Sequence, residues 1–340
     1  MAKIAGAQKW WGVGVRVLGG AAILVAICRT LIAKPNATSA PTSAPTSTPV
    51  SESDLELRNV QIFPPSDPWN TDISDKPVDP NSGRILKRIG LKKPLHPDFG
   101  ASYKGKPFGI PFCVISGNQP QVPVRFQYAD ESDPGPYPIP PDAPIEGGQT
   151  TTRGDRHVLI IDADHSKLYE MWQGVSHDGG ARWSAGSGAI FDLKTDKPRR
   201  AGWTSADAAG LPIFPGLARH DEVVNLKAIH HALRFTVEKS RRAYVAPARH
   251  FAAQATDADL PPMGMRVRLK ASFDIEKYPP ESKVILQALK TYGMILADNG
   301  GDWFLSGAPD SNWDDDDLGH LKQVKGSDFE VVEMGPITRG

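Results

Sequence analysis

Along the chain, short runs that alternate apolar and polar positions, or stay apolar for four to six residues, outnumber patterns with a helical period. FGIPFCVI (108–115) and VPVRFQYA (122–129) are two such runs, with Gly117-Asn118-Gln119-Pro120 as turn material between them. RHVLIID (156–162) and KLYEMWQ (167–173), joined by Ala163-Asp164-His165-Ser166, predict a hairpin. Further strands are predicted in ALRFTV (232–237), RAYVAPA (242–248), MRVRLKASFDI (265–275) and FEVVEM (329–334). MILAD (294–298) and DWFLS (302–306) flank Asn299-Gly300-Gly301, a tight-hairpin signal. Helical spacing is clearest in 279–293, where Val284, Ile285, Ala288, Leu289 and Tyr292 form one stripe between Pro280 and Gly293. Short helices are expected at 82–90 and 314–324. Many strands, few peripheral helices and no strand-helix alternation predict a mainly β fold, an antiparallel β-sandwich of jelly-roll type.

The first 53 residues break from this pattern. Residues 1–35 carry Lys3, Lys9, Arg16, Arg29 and Lys34, no acid, and the apolar run Val17–Cys28. That run is shorter than the roughly 20 residues of a bilayer span, so 1–35 reads as a signal peptide or N-terminal membrane anchor. Residues 36–53, rich in Ser, Thr and Pro, bury little and read as an extended tether. Residues 54–335 follow as a single β-rich domain outside the cytoplasm. The membrane enters only through the N-terminal segment.

The formal charge of the chain is zero, but five basic groups and no acid lie in residues 1–35, so the rest is mildly acidic. No basic stripe appears, which argues against nucleic acid as a partner. With Cys28 in the leader, Cys113 stands alone in an apolar run and reads as a small buried hydrophobe. No metal site is expected. Residues 310–316 begin like a calcium loop, yet Asp315 stands where glycine is required and Leu321 where glutamate is, leaving only a structural calcium conceivable. The acids from Asp314 to Asp317 are better explained as the start of a helix.

The stretches GDRHVLIID, AGWTSADAAGLPIFPGL, HALRFTV, LPPMGMRVRLKASFDI and LKTYGMILADNG resemble a family of secreted bacterial proteins. The resemblance spans roughly residues 60–333. It implies export and one domain, and carries over no activity and no catalytic residue.

No nucleophile elbow, phosphate loop or HExxH pattern is present. What remains is ionisable groups at strand ends. Alternation from Arg156 places His157, Leu159 and Ile161 on one face, with Asp155 and Glu146 nearby in sequence. In 230–235, His231, Leu233 and Phe235 share one face, and His230, Ala232 and Arg234 the other; AYVAPARH, ending at His250, is expected as an antiparallel neighbour. His231, Arg234, His250, Asp155 and His157 are the candidate catalytic groups. Trp183 and Trp203, set among small residues and expected to be exposed, join Arg219 and Asp298 as candidate glycan contacts. Two readings follow. One is an exported enzyme on an extracellular glycan: a lyase, with arginine neutralising a uronate and histidine taking a proton, or a hydrolase drawing two carboxylates from Asp155, Glu170, Asp207 and Asp298. The other is a non-catalytic glycan-binding or surface-displayed module.

Overall fold

The structure, a computed structural model, describes Leu57 and residues 60–340, all in one contact unit. The predicted leader and the whole of the tether lie outside the described residues. Strand exceeds helix, 26% to 17%, so the fold is mainly β.

In chain order the strands are β1 (His96–Pro97), β2 (Gly100–Tyr103), β3 (Lys106–Phe108), β4 (Phe112–Ile115), β5 (Val124–Phe126) and β6 (Val158–Asp162). Next come β7 (Lys167–Trp172), β8 (Val175–His177), β9 (Arg182–Ala185), β10 (Ser187–Asp192), β11 (Leu233–Val237) and β12 (Ala243–Tyr244). The last are β13 (Arg266–Leu269), β14 (Met294–Asn299), β15 (Phe304–Leu305), β16 (Phe329–Val331) and β17 (Thr338–Arg339). The helices are α1 (Ser82–Ile89), α2 (Pro280–Thr291) and α3 (Asp315–Gly319). A six-stranded sheet runs β1-β15-β11-β14-β13-β16, a four-stranded sheet β10-β7-β6-β4, and a three-stranded sheet β5-β9-β8.

The expected hairpin β6-β7 forms, with Leu159 opposite Glu170. Its alternation serves two cores. Leu159, Ile161 and Leu168 join the main core together with Leu233, Phe235 and Val237 of β11. Val158, Ile160 and Met171 point the other way, into a second core closed by Trp183 and by Tyr137, Ile139 and Ile145 of the Pro-rich strap 133–146. A four-stranded sheet buried on both faces explains why VLIID is apolar without a break.

Helix α2 starts with Pro280 at its first turn and ends before Gly293, whose φ of 66° suits glycine. A Cβ there would lie 2.2 Å from the Val267 carbonyl oxygen, so a side chain is excluded by contact as well. The helix buries Ile285, Leu286, Ala288 and Leu289; Leu286 takes the place the spacing gave to Val284 and Tyr292, which are half-buried. Fully burying each of the three larger residues contributes about 1.5–3 kcal/mol. Asp314 caps α3 by accepting from the Asp316 and Asp317 amides, the helix-opening role read from the sequence.

Three expectations are corrected. The sheets are mixed rather than antiparallel throughout, since β1/β15, β11/β14, β4/β6 and β5/β9 pair in parallel; long crossovers between the partners allow it. Strands β14 and β15 form no hairpin: β11 lies between them and pairs with both, while Thr236 Oγ1 donates to the Gly301 carbonyl at 2.7 Å. Strand β12 pairs with β17, not with β11.

Candidate functional site

Strand β11 turns Leu233, Phe235 and Val237 into the main core and Arg234 to the other face, as the alternation requires. Arg234 Nε and Nη2 donate to the two Asp207 carboxylate oxygens at 2.8 Å, and Nη1 donates to Ser306 Oγ at 2.6 Å. Asp298 approaches Nη2 at 3.6 Å. A β-bulge delivers that third contact. Phe235 pairs with Leu296, but the next pair is Thr236 with Asp298, so Ala297 is the extra residue. Without it Ala297 would face Thr236 and Asp298 would point to the opposite side. The Ala297 carbonyl accepts from the Ala209 amide at 2.9 Å, which ties the loop holding Asp207 to the strand holding Asp298.

The second half of the site comes from the strap and the start of β6. Glu146 ends the strap and His157 precedes β6; His157 Nδ1 lies 2.7 Å from Glu146 Oε2, and the Glu146 amide donates to the His157 carbonyl at 3.0 Å. The ring is 2% exposed and its Nε2 has no partner among the described residues. Beside it, Trp172 Nε1 donates to Asp155 Oδ1 at 3.2 Å, and the indole stacks on exposed Tyr128 at 6.3 Å between centroids. Glu170, fully buried on the same face of the sheet, accepts from the Ile213 and Phe214 amides at 2.9 Å.

Electrostatics joins the two halves. Burial, then repulsion by Asp207, pushes the Asp298 carboxyl up to about 7 against the pull of Arg234. Asp98, just after β1, is pushed up first by desolvation of its carboxyl and then by Glu146. Burial works against charge on His157, but Glu146 and then Asp155 outweigh it and raise the imidazole to about 9. Burial likewise opposes charge on Glu146, and His157 holds it below the ordinary range. Arg234 stays charged because Asp207 more than offsets its burial. Six carboxyl groups (Asp98, Glu146, Asp155, Glu170, Asp207, Asp298) thus sense one another or the same two cations, Arg234 and His157. Asp98 and Asp155 are exposed and Glu146 and Asp298 half-buried, whereas Arg234, Asp207 and Glu170 are buried.

No protein-family model, curated protein or solved structure matches the chain.

Of the sequence-predicted residues, Arg234, Asp298, Asp155, His157, Glu170 and Asp207 fall in this cluster. His231 does not. Its Nδ1 donates to the Ala232 carbonyl at 2.8 Å and its Nε2 meets Glu222 at 3.1 Å. Glu222 is also paired to Arg219 at 2.6 Å, so Arg219 and His231 belong to a separate buried network beside a π-helical turn, Asp221–Leu226. His230 is exposed and lines a groove of about 720 Å³ against α2, with mostly apolar walls and a Lys283–Glu276 pair. His250 donates from Nδ1 to the Ala208 carbonyl at 2.8 Å and holds Glu131 at 3.9 Å from Nε2. Trp203 is half-buried under the Arg199 and Arg200 guanidiniums. Trp183 is 2% exposed, which corrects its expected role as a stacking surface: the small residues around it let the strap pack closely over the ring. Sequence reasoning missed Asp98 and the Tyr128–Trp172 pair, whose partners are remote in the chain, and it set Glu146 near His157 without giving their contact. The adjacency of Asp155 and Glu146 to the predicted strand was the local signal.

Proposed function

We propose that this protein is an exported glycoside hydrolase acting on an extracellular polysaccharide, with Asp298 as general acid. The observation that carries the reading is the Asp298 carboxyl, bulged onto the Arg234 face, partly accessible, and raised to about 7 among other carboxylates. A carboxyl that keeps its proton near neutrality, beside carboxylates that do not, is the pairing glycoside hydrolysis needs. Asp298 gives its proton to the glycosidic oxygen as the C–O bond breaks. Asp155, exposed and oriented by Trp172, takes a proton from the water whose oxygen bonds to the anomeric carbon. A lyase step is less well supported, because Arg234 is already occupied by Asp207 and Ser306 and cannot neutralise a uronate. In this reading the four- and six-stranded sheets are the layers of a β-sandwich around one core. Export rests on the leader-like residues 1–35, the tether, and the resemblance to secreted proteins.

The test is incubation of the purified protein with neutral, amino and uronate polysaccharides. New reducing ends without an unsaturated product are expected, and Asp298→Asn should lower their rate at least about 100-fold. The rate of the parent should fall as pH rises through about 7, where Asp298 loses its proton. Binding without any product would instead favour the glycan-binding module, the reading to which the stacked Tyr128 and Trp172 rings lend support.

A further inference from the structure

Resting on the hydrolase reading, we infer that the sugar bound at this cluster carries a free ammonium group, so that the substrate is an amino-sugar polymer. The accessible and half-buried ionisable groups of the cluster are all carboxyls, Asp98, Asp155, Glu146 and Asp298, while both cations are buried and already paired. Asp298 keeps its proton as the general acid and Glu146 is paired to His157, so the charge an entering ligand meets first is that of exposed Asp155 and Asp98. A uronate would be repelled, a neutral sugar would leave the repulsion in place, and an ammonium would relieve it. Aromatic faces beside the acids add to the same preference, since Trp172 and exposed Tyr128 attract a cation as well as stacking on a ring.

A second observation points to a ligand here. His157 Nε2 is buried and unpartnered among the described residues, and its ring senses Asp155 and Arg234 while Nδ1 is held by Glu146. A buried donor without an acceptor costs about 1–3 kcal/mol. A sugar hydroxyl supplies the acceptor, and a 2-amino sugar offers hydroxyl and ammonium on neighbouring carbons. A bare divalent cation fits less well, because among the described residues no three His, Cys, Asp or Glu side chains are grouped to hold one.

The experiment is calorimetric titration with three tetrasaccharides: glucosamine with all amines free, its fully N-acetylated counterpart, and galacturonate. The free-amine form should bind at least about tenfold tighter than the N-acetylated one and galacturonate least of all, with the advantage shrinking between 0.05 and 0.5 M salt. Asp155→Asn and Asp98→Asn, both at exposed positions, should each weaken the free amine several-fold while leaving the melting temperature in place. Equal or tighter binding of the N-acetylated or uronate form, binding of none, or displacement of the amine by micromolar calcium would overturn the inference. Cleavage of a neutral glycan together with any of those results leaves the hydrolase reading standing. Selective amine binding with no cleavage of any glycan does the reverse.

Discussion

At the scale of single residues, the Glu146–His157 pair has consequences for stability as well as for the site. Glu146 titrates below its ordinary range in the fold, so its contribution is present above about pH 4.5 and is lost as pH falls. His157 is raised to about 9, so its contribution is complete below about pH 6.5 and is lost as pH rises through 9. The pair therefore supports the fold most strongly between these limits. Removing one partner leaves the other buried without compensation. Glu146→Gln is expected to cost about 3 kcal/mol at pH 7. The deficit should narrow at pH 10, where the parent imidazole has lost its proton. Chemical denaturation of both proteins at the two pH values checks this; a deficit independent of pH would show that packing, not charge, holds the strap end.

Elements show where a linear pattern suffices and where it fails. The hairpin β6-β7 and helix α2 are legible because each satisfies its own period: two for the strands, 3.6 for the helix, with Pro280 and Gly293 marking the helix ends. The face assignment of Arg234 is legible for the same reason. The side assignment of Asp298 is not, because one bulged residue, Ala297, reverses it and nothing in MILADNG marks the bulge. Nor does the sequence near Trp183 show that a strap 40 residues earlier covers it. The turn 214–216 gives a further prediction. A Cβ on Gly216 would come within 2.8 Å of Arg234 Cβ and 2.7 Å of the Trp69 ring. Gly216→Ala should destabilise by about 1–3 kcal/mol and, by pushing β11, loosen the Arg234–Asp207 contact. Thermal melting together with tetrasaccharide affinity tests it: a lower melting point with unchanged affinity would separate the turn from the site.

Over the whole molecule, two cores share one sheet, and half-buried Cys113 on its edge strand β4 packs against the second of them. Burial pushes that thiol up to about 12, which leaves little thiolate at neutral pH. Labelling by a thiol reagent should be slow in buffer and should accelerate together with loss of tryptophan burial in denaturant; acceleration at a lower denaturant concentration would show that the β4 edge opens before the rest. The six-stranded sheet has a further consequence. Because β11 lies between the successive strands β14 and β15, the segment 294–305 straddles a guest that the chain made some 60 residues earlier. Its two arms cannot zip onto each other and wait. The Asp298 bulge and the Ser306 hydroxyl take their places only once the guest is seated, so the charged cluster is among the last features the nascent chain can assemble, and no excised fragment lacking 233–237 can carry it.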